Sequence, residues 1–345
     1  MRLIFFAPNV HEGGGAILMR SLLNTLPKGV ISRSFMDKRI INSLESKELS
    51  IINWVKPNIF SRIYAELLLL WHSRNESIIF CFGGIPPLFA YKSKIIIFQQ
   101  NRNLLGLNSL SEFKRRVALR IFAERVICKF LNYKVNLYIV QTESMKRELI
   151  RWGASQKILV APFRDLLEVE KIERDLVKWD YLYVADGSGH KNHKRLIEAW
   201  SLLAKDGLRP TLALTIEFSN RDLIALVDNY RARFGLKIVN LGKVPNSQMY
   251  PIYRRSGALV YPSTSESFGL PLLEASQVGL PIVASEMDFV RDVCNPVHSF
   301  DPYSSISIAR AIKRHMGLSV EHSTPLTPKE FLSVLVEVVG NGDQS

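Results

Sequence analysis

The sequence predicts an α/β protein of two domains, each an open parallel sheet wrapped by helices. Three observations lead there. The chain is 345 residues long, more than one hydrophobic core usually organises. Short apolar strands alternate with amphipathic helical stretches, the pattern of parallel strands joined by crossovers. That alternation stops in a charged stretch, 165–178, and then starts again.

In the first half, strands are expected at 3–7, 78–82, 94–99 and 137–141, and helices at 16–26, 61–71, 111–133 and 143–152. A strand-like 157–161 follows and ends at Pro162. The boundary is placed after it, giving domains 1–165 and 166–345, with a C-terminal helix free to pack back on the first domain. The second half offers strands at 181–185, 210–216, 237–241, 258–261 and 281–284. Helices at 194–204, 221–234, 247–255 and 271–278 separate them. In open sheets of this kind the ligand crevice lies at the carboxyl ends of the strands. Two such domains facing each other form a cleft.

The composition is 47% hydrophobic and 22% charged, which suits a soluble globular protein. No run of 18 apolar residues suggests a membrane span. Residues 1–8 are too short for a signal-peptide core and read as a buried first strand. The three cysteines, Cys81, Cys128 and Cys294, show no metal-ligand or disulfide spacing. They point to a reducing cytoplasm. The net charge of +13 suits a polyanion: nucleic acid, anionic lipid or a phosphorylated substrate. A basic surface with no partner is the plainer alternative.

Residues 258–285 read as strand, loop, helix, turn and strand. Pro271 suits the first turn of a helix, where its missing N–H costs nothing. Gly269 lets the backbone approach a ligand. The amides of Phe268, Gly269 and Leu270 then open a helix N-terminus, a ready anion site. Glu266 lies in the loop and Glu274 one turn inside the helix, so both can face one cleft. Carboxylates that accept from paired hydroxyls suit a sugar or a ribose. Equally, Glu274 fits a helix-dipole acid and Glu266 a solvated loop acid. Spacing alone leaves both readings open.

This stretch resembles the Glu-x7-Glu motif of the family 4 retaining glycosyltransferases, with Pro-Ser before the first Glu, Phe-Gly-Leu-Pro between and Gly-Leu-Pro-Ile-Val-Ala-Ser after. The resemblance implies the GT-B fold, two Rossmann-like domains facing a central cleft. It implies that Glu266 holds or polarises the donor sugar and that Glu274 binds the ribose hydroxyls. The amides of Phe268, Gly269 and Leu270 would contact sugar and diphosphate.

Upstream, 181–200 is strand, glycine loop and helix, with Lys191 in the loop. A lysine there can set a point charge on a phosphate, though alone it reads as solvated. The stretch resembles the family's diphosphate loop, in which an Arg-x4-Lys pair is common. Lys191 matches the Lys, but Asp186 stands at the Arg position and cannot neutralise a diphosphate. The loop is similar to a branch carrying His-Lys-Asn-His, with His190 or Lys194 as helpers. Residues 239–245 resemble the loop that cups the nucleotide base, which implies backbone contacts at Lys243 and Val244.

In the first domain, a loop at 9–15 ends in Gly13, Gly14 and Gly15 before an apolar helix from Ala16. It is not GxGxxG, so no dinucleotide fingerprint is claimed. The resemblance implies that Gly14 and Gly15 face the donor diphosphate, with His11 on the acceptor side. Where many members carry a His, the strand at 94–99 delivers Gln100, Asn101 and Arg102. Such groups bind sugar or phosphate but are no general base near neutral pH. That fits a front-face reaction in which the leaving phosphate takes the acceptor proton.

Residues 113–134 carry Lys114, Arg115, Arg116, Arg120, Arg125, Lys129 and Lys134 against one acid, Glu124. Val117, Ile121, Val126 and Phe130 recur at helical spacing. This is a helix lying on an anionic membrane surface, or a domain helix with a wet basic side. No nucleic-acid reading motif accompanies it, so no nucleic-acid partner is expected.

The resemblance therefore implies a hexosyltransferase acting in cell-surface polysaccharide or lipopolysaccharide synthesis. It would move a sugar from a nucleotide-diphosphate sugar, GDP-mannose first among those to test, to a saccharide or polyprenyl-linked saccharide. No cofactor and no metal are expected, and the place is the cytoplasm or the inner face of the membrane. A non-catalytic GT-B partner in a membrane-associated assembly complex is the alternative, motivated by Asp186 and the missing His.

Overall fold

The computed structural model describes residues 2–25, 27, 29–43, 51–73, 77–89, 93–106, 110, 113, 115–163 and 176–318. The first domain contains strands β1 (Arg2–Ala7), β2 (Ile31–Asp37), β3 (Ile52–Val55), β4 (Ser77–Phe82), β5 (Lys94–Phe98), β6 (Leu137–Val140) and β7 (Lys157–Val160). They form one seven-stranded sheet in the order β3-β2-β1-β4-β5-β6-β7, parallel throughout. Its helices are α1 (Gly13–Thr25), α2 (Ile59–His72), α3 (Arg115–Leu131) and α4 (Glu143–Trp152).

The second domain contains β8 (Trp179–Tyr183), β9 (Leu212–Leu214), β10 (Ile238–Asn240), β11 (Ser256–Tyr261), β12 (Ile282–Ser285) and β13 (His298–Phe300). Its sheet is also parallel, in the order β10-β9-β8-β11-β12-β13. The helices are α5 (His193–Lys205), α6 (Arg221–Phe234), α7 (Met249–Arg254), α8 (Leu270–Gln277), α9 (Asp288–Arg291) and α10 (Ser305–His315).

Both sheets are wound in the same way. Winding reverses between β1 and β4 in one and between β8 and β11 in the other. A doubly wound sheet opens its ligand crevice at that point. Alternation along β1 explains the layers of the first domain: Ile4 and Phe6 join the core under α2 and α4, Phe5 and Ala7 the core under α1. In the second domain one core takes Tyr181, Tyr183, Trp200, Tyr253 and Tyr261.

Local chemistry fixes the helix ends. Thr142 accepts from the Met145 amide at the start of α4, and Gly153 closes it in the left-handed conformation. Asn220 and Gly235 bound α6 in the same way, at the limits read from the sequence.

Several expectations are corrected. β2 and β3 were not foreseen, because Ser32, Arg33, Ser34, Asp37 and Asn53 interrupt their apolar pattern. β13 and α10 were likewise missed. Gly13, Gly14 and Gly15 are the first turn of α1 rather than a loop. α3 is shorter than the expected 111–133. The expected boundary at 165, the C-terminal helix and Lys114 lie outside the described residues. Among the described residues no helix is long and apolar enough to cross a membrane.

Candidate functional site

The loops that leave β8 and β11 are stitched together at the switch point. Asn192 has φ +61°, and its amide donates to the carbonyls of Pro262 at 3.1 Å and Pro302 at 2.7 Å. The Thr264 amide donates to the His190 carbonyl at 2.9 Å. From the core below, the Tyr183 hydroxyl donates to the Lys191 carbonyl at 2.6 Å and lies 3.2 Å from the Ser263 hydroxyl. Burial pushes the Tyr183 phenol far up, so it remains a donor.

On this frame the Lys191 ammonium meets the Glu266 carboxylate at 2.6 Å. Their side chains are only 15% and 11% exposed. Two opposite charges at this separation, with water largely excluded, are held as one unit. Lys191 and Glu266, named separately from the sequence, are thus brought together.

Glu274 lies one turn along α8 and accepts from the Tyr253 hydroxyl at 2.6 Å. Gly269 caps α8 at φ +79°. A Cβ there would stand 3.0 Å from Leu272 Cδ1, so both conformation and space favour glycine. The α8 N-terminus, with Phe268, Gly269 and Leu270, opens beside the pair.

Across the cleft stands the N-terminus of α1. A Cβ on Gly14 would lie 3.2 Å from Leu270 Cδ1 of the other domain. One on Gly15 would lie 2.9 Å from Gln100 Oε1. Gln100 Nε2 is buried with no hydrogen-bond partner, an exception to the usual pairing of buried polar groups.

Other candidates are placed differently. Asp186 brings a negative charge where a second cation would be expected, and it feels the Lys191 charge. It accepts from the Ser188 amide at 2.8 Å and shapes the loop. Desolvation pushes its pKa up, but the Ser188 bonds and the Lys191 charge outweigh this, and the net shift is downward. His190 is half-buried, while Lys194 is exposed on the first turn of α5. Lys243 is exposed, 3.7 Å from Glu217, and Val244 is half-buried beside it. Asn101 is an exposed turn cap that accepts from the Asn103 amide at 3.0 Å.

His11 lies 3.3 Å from Glu12 and 3.8 Å from the buried Asp37, which is paired to Arg39. Arg102, expected on the acceptor side, is already committed. It donates to the Glu266 carbonyl at 2.9 Å and pairs with Glu148.

The α3 helix exposes much of its apolar side. Ile121, Cys128 and Leu131 are buried, while Leu119, Phe122, Val126 and Phe130 are exposed, Phe130 by 74%. Three of the basic groups are tied down: Arg125 to the Asn103 carbonyl, Lys129 to that of Trp152 and Lys134 to that of Leu88.

Sequence reasoning missed Tyr183, Tyr253, His193 and Glu148. Nothing local marks them, since each acts through a contact made in three dimensions. His193 is buried against Tyr183 with both ring nitrogens unpartnered. Burial lowers its pKa to about 4, so the ring is neutral. Among the described residues no cluster of three or more His, Cys, Asp or Glu side chains could hold a metal.

Comparison with known proteins follows the same division. Residues 167–323 match the family described as glycosyl transferases group 1. The serotype-specific mannosyltransferase WbdA of Escherichia coli is 24% identical over 148 residues, covering 42% of this chain and 18% of WbdA. The O-antigen chain mannosyltransferase B of Escherichia coli is 32% identical over 115 residues, covering 32% of this chain and 30% of that protein. The chain thus spans less than a third of the length of these curated relatives.

Similar solved structures cover nearly the whole chain. Anabaena HepE in complex with UDP-glucose has a TM-score of 0.67 at 16% identity, over 92% of this chain and 90% of that one. The lipopolysaccharide outer core galactosyltransferase WaaB, in its apo form, has a TM-score of 0.61 at 17% identity, over 93% and 92%. The match to the glycosyl transferases group 1 family thus falls on the second domain, and the chain as a whole has the two-domain GT-B fold.

Proposed function

We propose that this chain is a retaining glycosyltransferase that moves a hexose from a nucleotide-diphosphate sugar to a saccharide or lipid-linked saccharide in surface-polysaccharide assembly. The observation that carries the reading is the Lys191–Glu266 pair, 2.6 Å apart beside the N-terminus of α8. The mannosyltransferase relatives favour mannose, and hence GDP-mannose, as the first donor to test.

In this reading the diphosphate lies between the N-termini of α8 and α1. Lys191 gives it a point charge and the free amides give it hydrogen bonds. Glu274 takes the ribose hydroxyls, steadied by Tyr253. Backbone groups at Lys243 and Val244 meet the base. The bond from the anomeric carbon to the leaving phosphate oxygen breaks through an oxocarbenium-like state, which the Glu266 carboxylate faces. The acceptor oxygen bonds to the same face, and its proton passes to the leaving phosphate. Gln100 and Asn101 would orient the acceptor. Cleft closure excludes water and limits hydrolysis.

Thermal shift against UDP, GDP and their sugars, repeated with Glu274→Ala, tests the site. A ligand that binds only the folded state raises the melting temperature by mass action. A shift with one nucleotide that disappears in the variant supports the reading. No shift with any nucleotide favours the second reading, a non-catalytic partner, for which Asp186 at the usual Arg position is the specific observation.

We also propose that α3, with its exposed Leu119, Phe122, Val126 and Phe130 among Arg115, Arg116 and Arg120, rests on an anionic membrane surface. The exposed Phe60 and Trp71 of α2 add apolar area on the same domain. Sedimentation with vesicles containing phosphatidylglycerol, but not with purely zwitterionic ones, is the expected outcome. Equal sedimentation with both, or none with either, rejects it.

A further inference from the structure

We infer that Arg102 and Glu148 of the first domain are a positioning pair that holds the Glu266 loop of the second, so that domain closure assembles the Lys191–Glu266 couple. The inference rests on the catalytic reading of that couple proposed above.

Arg102 opens a short 3-10 turn, Arg102–Leu105, just after β5. Asn101 caps its start and Gly106, in the left-handed conformation, ends it. This stiff turn aims the guanidinium across the cleft. Nη1 donates to the Glu266 carbonyl at 2.9 Å, between residues 164 apart in sequence. Nη2 pairs with the carboxylate of Glu148 on α4. The two side chains are 16% and 14% exposed.

A planar guanidinium serves two acceptors at a fixed angle, which an ammonium does not. A bond from a charged donor to a carbonyl is stronger than a neutral one. The carbonyl belongs to the residue whose carboxylate meets Lys191. Fixing it fixes the direction in which that side chain leaves the backbone.

Anchors of the loop from within the second domain include those at Pro262, Ser263 and Thr264. Arg102 takes hold two residues further on, at Glu266 itself. The grip therefore exists only when the two domains are together.

The same helix secures the contact elsewhere. The Ser144 amide donates to Asp292 Oδ2 at 2.8 Å, and Arg147 pairs with Asp288 at 2.9 Å. Residues 144, 147 and 148 share one face of α4: the first two dock it on the second domain, and the third holds Arg102. Polar links of this kind suit a seam that opens and closes. Burial pushes the Glu148 carboxyl up, while the Arg102 charge acts to bring it down. Both arms of the Arg102 fork are engaged, while its Nε is buried with no hydrogen-bond partner.

The test uses the full chain and three variants, Arg102→Gln, Arg102→Lys and Glu148→Gln. Hydrogen exchange is followed at the amides of 263–269, with those of β11 as a control for folding. Exchange in the loop is expected to rise on the order of tenfold in the two Gln variants, with β11 unchanged. Arg102→Lys should recover part of the protection.

Nucleotide release from GDP-mannose and UDP-glucose is the second readout. Here kcat should fall about a hundredfold, with the donor KM within about threefold of the parent. Unchanged loop exchange, or a raised KM with kcat kept, overturns the pair. If the parent turns over neither donor, the catalytic reading fails, and loop exchange still decides whether the pair holds the loop.

Discussion

The two sheets are wound alike, yet their cores use different aromatic residues, and the difference reaches the cleft. Phe5, Phe80, Phe82, Phe98 and Phe163 pack together in the first domain, with the Phe82 and Phe98 centroids 4.9 Å apart. The second domain buries four tyrosines, Tyr181, Tyr183, Tyr253 and Tyr261, against Tyr138 in the first. A tyrosine adds to the same apolar body a polar tip that must find a partner. Tyr183 finds the Lys191 carbonyl, and Tyr253 finds Glu274. In the donor half, then, packing the core and placing the site are one event. In the first domain this phenylalanine cluster carries no polar tip, and the Arg102–Glu148 pair outside it supplies the polar reach across the cleft.

The largest expected effect separates the halves most sharply. Lys191→Ala should lower kcat/KM for the donor on the order of a thousandfold, about 4 kcal/mol. Gln100→Ala should cost about tenfold or less and act on the acceptor. Steady-state rates with each substrate varied in turn measure both, and equal losses would break the comparison.

Next comes pH. His193 has its folded pKa lowered to about 4, from 6.5. As pH falls through that window the unfolded chain takes the proton first, so folding loses stability there. The loss is on the order of 3 kcal/mol. Urea midpoints at pH 7 and pH 4.5 should differ less in His193→Phe than in the parent. An identical pH dependence would show that the ring is not the cause.

Tyr253→Phe removes a bond to a carboxylate and should weaken nucleotide binding about tenfold, near 1.5 kcal/mol. Calorimetric titration with GDP and UDP reads it, and unchanged affinity would mean that Glu274 needs no such tip. The smallest effect is Phe82→Leu. It should cost about 1 kcal/mol of stability and leave donor affinity alone, which a denaturation curve beside the same titration would check.

The same contrast governs what the sequence could tell. The second domain was legible because its apolar runs end at Gly and Pro and its helices carry caps such as Asn220. β2 and β3 were not, because Arg33 and Asn53 look like loop residues until they bond to each other at 3.5 Å. Lys191 and Glu266 were each found, but their contact joins residues 75 apart. Arg102 was found but Glu148 was not, and their contact joins residues 46 apart. In α3 the apolar spacing left a membrane-facing and a core-facing side both open, and Val126 and Phe130 point outward. Periodicity reports that a stripe exists and is silent on what covers it.

One feature of the cleft bears on kinetic order. Helices α1 and α8 begin at Gly13 and Leu270 and meet end to end, close enough that a Cβ on Gly14 would lie 3.2 Å from Leu270. Each helix start carries roughly half a positive charge. Bringing two such poles together without an anion between them is unfavourable, and a diphosphate removes the repulsion. Donor binding would then be the event that lets the halves meet, and an acceptor arriving first would find them apart. The expected signature is a compulsory sequence, donor first and nucleotide diphosphate last, visible as competitive inhibition by that nucleotide against the donor alone. Competition against both substrates would indicate random order and remove this role for the facing helix ends.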